Sequence, residues 1–220
     1  MTDHVDMKPV LSFLSAIQKN NNKPWFEEHR PAYEKARTQF EDLIDELIMG
    51  FSPVEDLGGI TAKDCVMRIY RDIRFSNDKR PYKTHVGMQF GHGGGGKDVH
   101  APGYYLQLEP GECFVCGGIW RPDRIGLMKI REKIVSQPDL WAKVTRGLTL
   151  SDEDKLSRPP RGFPSEHRHL EDLKRKSIFA LIDLSEQQVC GARFMGEFEK
   201  SVGKMAPLVE FLARAMEMKW

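Results

Sequence analysis

The chain has 220 residues, with 33 Lys and Arg against 32 Asp and Glu, so its formal charge is +1 with the seven His neutral. That balance argues against a generally basic nucleic-acid coat, and an apolar share of 40% beside 30% charged residues excludes an intrinsically disordered chain. At this length roughly 70% of the unfolded surface can be buried, and the chain is read as a single domain over 1–220.

Residues 1–14 carry Asp3, His4, Asp6 and Lys8 among apolar positions, which is not the basic-then-apolar pattern of a secretory leader. Val10, Phe13, Leu14 and Ile17 recur at helical spacing, opened by Pro9 in a tolerated first-turn position and closed by Asn20, Asn21 and Asn22. This predicts a helix over about 8–19. Pro24 and Pro31 cannot share one helix interior, so 25–29 reads as a short helical turn and Pro31 as the start of the next helix. There Tyr33, Ala36, Phe40, Leu43, Ile44, Leu47 and Ile48 line one stripe and Gly50 supplies a stop, which completes an N-terminal helical block over 8–50.

After Gly58 and Gly59 the period changes to two, and 64–121 reads as a strand meander. Met67, Ile69, Ile73 and Phe75 alternate with Arg68, Tyr70, Asp72 and Arg74, which predicts a half-buried strand over 66–75. Val86, Met88 and Phe90 alternate next, then Tyr104, Leu106 and Leu108, then 113–120. Glu109-Pro110-Gly111-Glu112 has type II turn chemistry, and short links of this kind imply antiparallel pairing. Gly117 and Gly118 predict a bulge or a close backbone approach. Helical spacing returns within 122–146, at 125–135 and around Trp141 and Val144. A long basic connection follows over 147–176, where Pro159, Pro160, Gly162 and Pro164 interleave with Arg158, Arg161 and Arg168. The last block, 177–220, opens with a strand over 178–184. A capping box of Ser185 and Gln188 then starts a helix to about 200, and a final amphipathic helix begins near Pro207. The expected fold is α+β, an antiparallel sheet of about five strands packed against N-terminal and C-terminal helices. No apolar run approaches the ~20 residues needed to cross a bilayer. Four unevenly spaced Cys suit a reducing compartment, so the expectation is a cytoplasmic chain with no membrane partner.

Three motifs are weighed for cofactors. Gly91-His92-Gly93-Gly94-Gly95-Gly96-Lys97 has P-loop spacing, but Asp98 stands where Ser or Thr would ligate magnesium, and Pro102-Gly103 cannot continue a phosphate-holding helix. Cys113 and Cys116 are half a zinc knuckle without a second half, and three residues apart on a strand they face opposite ways. His85, His92 and His100, with Asp72 or Glu109, have the residue types of a two-histidine, one-carboxylate site but no fixed spacing. No metal and no cofactor is expected.

The most informative stretch is 68–83, where Arg68, Arg71, Arg74, Lys79, Arg80 and Lys83 face only Asp72 and Asp78. Four excess positive charges on so short a segment of a nearly neutral chain need a reason. On a strand Arg68, Tyr70, Asp72 and Arg74 would project from one face at ~7 Å per step of two. Two guanidinium forks, one oriented by Asp72, suit a phosphate or carboxylate. Arg71 falls among apolar neighbours and requires a carboxylate partner. The expected ligand-binding residues are Arg68, Arg71, Arg74, Lys79 and Lys83. Asp72, Tyr82 and His85 are the acid–base candidates if the protein is a hydrolase or transferase.

The run Asn20-Asn21-Asn22-Lys23-Pro24-Trp25-Phe26 joins two further stretches, Arg68-x-x-Arg71-Asp72-x-Arg74-Phe75-x-x-Asp78-Lys79-x-x-Tyr82-Lys83-Thr84-His85 and Pro102-Gly103-Tyr104-Tyr105-Leu106. Together they resemble a bacterial domain-of-unknown-function family, DUF2461, of single-domain proteins of about this size with fungal relatives in longer chains. The resemblance implies no activity, cofactor or catalytic residue; it marks the arginine segment as a signature. The leading expectation is binding of a small anionic or phosphorylated ligand. A second is nucleic-acid binding through 68–83 joined by Arg158, Arg161, Arg168, Lys174, Arg175 and Lys176, and a third is a scaffold whose arginines form internal ion pairs.

Overall fold

The computed structural model describes residues 5–51, 59–91 and 100–218. Its first three helices are α1 (Lys8–Lys19), α2 (Lys23–Glu28) and α3 (Arg30–Phe51). α1 has the bounds its periodicity predicts, burying Val10, Leu11, Phe13, Leu14 and Ile17. Asn22 caps α2 by accepting from the Trp25 N–H, which satisfies one of the donors that a helix start leaves open. α3 runs through Gly50 to Phe51 and buries Phe40, Leu43, Ile44 and Leu47 along its apolar stripe. The short α4 (Ala62–Cys65) then leads into the arginine segment.

Four strands follow: β1 (Val86–Phe90), β2 (Gly103–Leu108), β3 (Cys113–Ile119) and, much later, β4 (Ile178–Leu184). They form one sheet in the order β1-β2-β3-β4, antiparallel throughout. The expected fifth strand over 66–75 is not there. Among the described residues that segment contributes only isolated bridges, Val66 to Met88 and Tyr70 to Tyr82. The reason is physical: both faces of the segment carry charge and Pro81 on its return limb has no N–H, so neither a buried face nor a continuous ladder can form.

The hairpin between β2 and β3 turns through Gly111 at φ +84°, closed by the Glu112 N–H on the Glu109 carbonyl at 2.9 Å. Between β3 and β4 lie α5 (Arg124–Ser136), capped by Asp123, then α6 (Pro138–Val144) and the short α7 (Leu170–Leu173). After β4 the capping box of Ser185 and Gln188 starts α8, which ends at Val189 rather than near 200 (Glu186–Val189). α9 (Phe194–Ala215) is then one 22-residue helix with Pro207 inside it. Its stripe of Phe198, Val202, Met205, Leu208, Val209 and Leu212 is buried on both sides of the proline, so packing overrides the lost backbone bond.

The sheet has two unlike faces. Met88, Phe90, Tyr104, Leu106, Leu108, Val115, Ile119, Ile178 and Ala180 belong to the core cluster shared with α1, α3 and α9. α9 lies directly on β3, where a Cβ at Gly117 would stand 2.6 Å from Met205 Cβ. The glycine pair thus marks a close approach; the β3–β4 register runs through it unbroken. The other face carries Gln89, Tyr105, Gln107, Phe114, Cys116, Phe179 and Leu181, brought side by side by the strand register, and it is not covered by α9. No helix among the described residues is long and apolar enough to cross a membrane.

Candidate ligand-binding site

The arginine segment is a two-limbed excursion from the edge of β1. Met67 N–H donates to the Gly87 carbonyl (2.8 Å), Lys83 N–H to Ile69 (2.8 Å) and Arg71 N–H to Pro81 (2.9 Å). Beyond that point the chain pairs with itself through side chains. The Arg74 guanidinium grips Asp72 through Nε (3.0 Å) and Nη2 (2.7 Å), and Arg80 holds Asp78 at 2.8 Å. Half-buried Arg71 finds the carboxylate it requires in Asp78, also at 2.8 Å, and donates to the Arg80 carbonyl. Lys79 donates to the Ile73 carbonyl at 3.1 Å. Tyr82 is buried, stacked on Phe26 at 4.0 Å, and its backbone is clasped in both directions by Asn21. Two of the stretches that carry the family resemblance therefore meet in space.

Hydrogen bonds from Arg74 hold the Asp72 carboxyl down from 3.8 to about 2. Because the folded value is the lower one, the pairing contributes fully above the ordinary carboxylate range and is lost as pH falls from about 4 towards 2. The Asp72 carboxyl carbon, followed by NMR, is expected to titrate near 2 and to move back towards 3.8 in Arg74→Ala. A wild-type midpoint near 3.8 would show that the pair does not persist in solution.

Of the ligand-binding and acid–base candidates, Lys83 and His85 are the two that line the cleft on the open face of the sheet, which has a volume of about 710 Å³. Asp72, Arg71, Arg74, Lys79 and Tyr82 lie away from it, engaged as just described. Arg68 is exposed and not on the lining, but it is close enough to repel Lys83 electrostatically. The cleft wall is largely aromatic and apolar, with Tyr105, Phe114, Phe179, Leu181, Trp120 and Met67. Across it runs a polar string. The Tyr105 hydroxyl donates to Gln107 Oε1 (3.0 Å), Gln107 Nε2 donates to Glu109 Oε2 (3.1 Å), and Thr84 Oγ1 donates to Glu109 Oε1 (2.5 Å). His85 Nδ1 lies 3.5 Å from Glu109 Oε2. Gly87 makes room for this arrangement, since a Cβ there would stand 2.5 Å from the Tyr105 hydroxyl.

Burial sets the titration of the cleft. It lowers His85, aided by nearby Lys83 and opposed by Glu109. It lowers Lys83, with Arg68 adding to the effect, and it raises Tyr105 well above the usual phenol range. Burial, then Asp183, pushes the Cys116 thiol up to about 12, so that sulfur is a protonated and poor nucleophile. Cys113 sits on the core face instead, so the two thiols do not converge. Among the described residues no three His, Cys, Asp or Glu side chains cluster as metal ligands. His92 and the glycine run from 92 onward lie outside the described residues, and His100 hydrogen-bonds the Arg121 carbonyl.

The second basic segment is largely neutralised by the chain's own acids. Arg168 pairs with Asp139 (2.6 Å), Lys174 with Glu171 (2.8 Å), Lys176 with Asp154 (2.6 Å), and Arg175 with both Asp152 (2.7 Å) and Asp172 (3.1 Å). Arg158 and Arg161 remain exposed.

Sequence reading missed Tyr105, Gln107 and Phe179 as site residues and named Glu109 only as a metal partner for His85. The available signal was the off-core alternation of the strands, where Gln89, Tyr105 and Gln107 are long and uncharged although a freely solvated face usually carries charge. The molecule is thus an α+β protein whose meander buries one sheet face and leaves a cleft on the other. It belongs to the family described as conserved hypothetical protein (DUF2461), whose model matches residues 9–211. No curated protein and no solved structure matches the chain.

Proposed function

We propose that the protein binds a small organic acid in the open-face cleft, with the acidic group at Lys83 and the apolar body against Tyr105, Phe114 and Phe179. The observation that carries this reading is the Lys83 ammonium. It is half-buried, lines the cleft, and forms no ion pair or hydrogen bond through its side chain with the described residues. A partly desolvated cation without a counter-ion is costly, and an incoming carboxylate or phosphate removes that cost. Arg68 adds a second positive charge near Lys83, while Arg71, Arg74 and Arg80 are already satisfied by Asp72 and Asp78 and serve the segment's shape. The cation pairing within 147–176 favours this reading over a nucleic-acid interface.

Phenyl phosphate and inorganic phosphate are the probes. A ligand present at ~100 times its Kd stabilises by about 2.7 kcal/mol, a rise of roughly 5–10 °C in Tm for a chain of this size. Phenyl phosphate is expected to give such a rise and inorganic phosphate a smaller one. Lys83→Met is expected to abolish the phenyl phosphate shift and Arg74→Ala to keep it. An unchanged shift in Lys83→Met, or a shift lost equally in Arg74→Ala, overturns the assignment of the site.

A further inference from the structure

Within that cleft one side chain is placed for more than binding. His85 has Nδ1 turned to Glu109 Oε2 at 3.5 Å, while Nε2 forms no hydrogen bond with the described residues. Glu109 is itself fixed from two other sides, by Thr84 Oγ1 and by Gln107 Nε2, the latter held through Tyr105. It also opens the tight turn closed by the Glu112 N–H, which leaves its backbone little freedom. A carboxylate facing Nδ1 favours the tautomer with the proton there and leaves the Nε2 lone pair available. The gap of 3.5 Å is long for a hydrogen bond, as such contacts commonly are before substrate closes the site.

Among the described residues the cleft offers no activated side-chain nucleophile to use that base. Cys116 is held in its thiol form, and the Ser151 hydroxyl oxygen accepts from the Glu153 N–H. The group to be deprotonated therefore comes from solvent, which the open cleft admits. Lys83, with Arg68 beyond it, supplies positive charge next to His85 for an anion that develops there.

We propose that the Glu109–His85 pair is a general base that activates water to hydrolyse an acyl ester in a ligand whose acidic group is bound at Lys83. This rests on the ligand reading above. His85 Nε2 takes one proton from water as the water oxygen bonds to the carbonyl carbon. The bond from that carbon to the alcohol oxygen then breaks, and the departing oxygen takes the proton from the imidazolium. Ester and water give acid and alcohol, with nothing oxidised or reduced. His85 is the catalytic residue, and Glu109, which touches only His85 and its own supports, is a positioning residue.

The probe is 4-acetoxybenzoate, which has an aromatic body, a carboxylate and an ester, with neutral phenyl acetate as the comparison. The wild-type protein is expected to hydrolyse the charged ester faster, and His85→Gln to lose about 10²–10⁴-fold, the usual worth of a general base. Added imidazole is expected to restore turnover in His85→Ala, a recovery that a merely structural role would not produce. Lys83 and Glu109 are the charged groups facing His85, with Glu112 and Glu153 elsewhere on the lining. Since His85 is lowered from 6.5, the rate should rise with pH through a midpoint below that value; Glu109→Gln, which removes a charge that raises His85, should reduce the plateau and shift the profile to lower pH. Hydrolysis no faster than in His85→Gln, with phenyl phosphate still bound, overturns the base and leaves the ligand reading standing. His85-dependent hydrolysis without phenyl phosphate binding does the reverse.

Discussion

Asp172→Ala is expected to destabilise the protein by about 3 kcal/mol, the lower end of the cost of breaking a buried ion pair from one side because Asp172 is partly exposed, with a fall in Tm of roughly 10 °C. Asp172 is the carboxylate that ties the long connection to the helices. Its Oδ2 accepts from the indole of Trp141 at 2.8 Å, and its Oδ1 accepts from Arg175 Nε at 3.1 Å. Trp141 is fully buried, so the deletion strands its N–H donor, a cost of about 1–3 kcal/mol alone. Arg175 is only 7% exposed. Without Asp172 it keeps Asp152, a largely solvated partner, and the carbonyls of Leu150 and Ser151. Trp141→Phe removes the same donor while keeping the ion pair and should cost about 1–2 kcal/mol. Because both changes act on one network, the double variant should be less destabilised than the sum of the two. Urea unfolding measures all three, and a cost below 1 kcal/mol for Asp172→Ala would mean that water already shares the network. The consequence reaches the cleft, since Ser151 and Glu153 belong to its lining and Arg175 anchors the backbone at 151.

What was legible in the sequence follows from the range of the forces involved. α1 and β4 have the bounds their patterns predict, because an apolar stripe or run flanked by Pro, Asn or a capping box specifies a local element. The 66–75 segment misled because Met67, Ile69, Ile73 and Phe75 imitate the alternation of a strand. Ile69 is buried, but Phe75 is 94% exposed. Its acids bond cations two residues on, Asp72 with Arg74 and Asp78 with Arg80, and such contacts stabilise bends rather than a ladder. The sequence divides α9 into two helices because Gly and Pro propensities are local, whereas the core it spans is not. The candidate site was half visible for the same reason. Lys83 and His85 sit in the unusual segment, but their company of Tyr105, Gln107, Glu109 and Phe179 is assembled by register. Gln89 lies beside Tyr105, Tyr105 beside Cys116, and Cys116 beside Leu181, and no local pattern records that pairing.

The same register makes Gly118 the most exposed to damage of the sheet glycines. Gly118→Ala is expected to cost about 3 kcal/mol or more, from two independent causes. The residue has φ +144°, a conformation that costs a side-chain-bearing residue about 1–3 kcal/mol. Its Cβ would also stand 2.3 Å from the Ile178 carbonyl oxygen and 2.5 Å from Phe179 Cα, both backbone atoms of β4 that no rotamer change can move. Relief requires β3 and β4 to separate, which sacrifices ladder hydrogen bonds worth about 1 kcal/mol each. Gly117→Ala meets Met205 at 2.6 Å across the other face, where α9 can shift, and overpacking of that kind costs about 1–3 kcal/mol. Gly111→Ala meets nothing within 4 Å and bears only its φ of +84°, about 1 kcal/mol. The expected order by urea unfolding is therefore 118, then 117, then 111. Gly118 and Phe179 both line the cleft, so the first variant should lose the phenyl phosphate shift as well, while Gly111→Ala keeps it. Equal costs at 118 and 111 would mean that β3 and β4 do not approach each other at that point, and the wall of the proposed site would have to be drawn elsewhere.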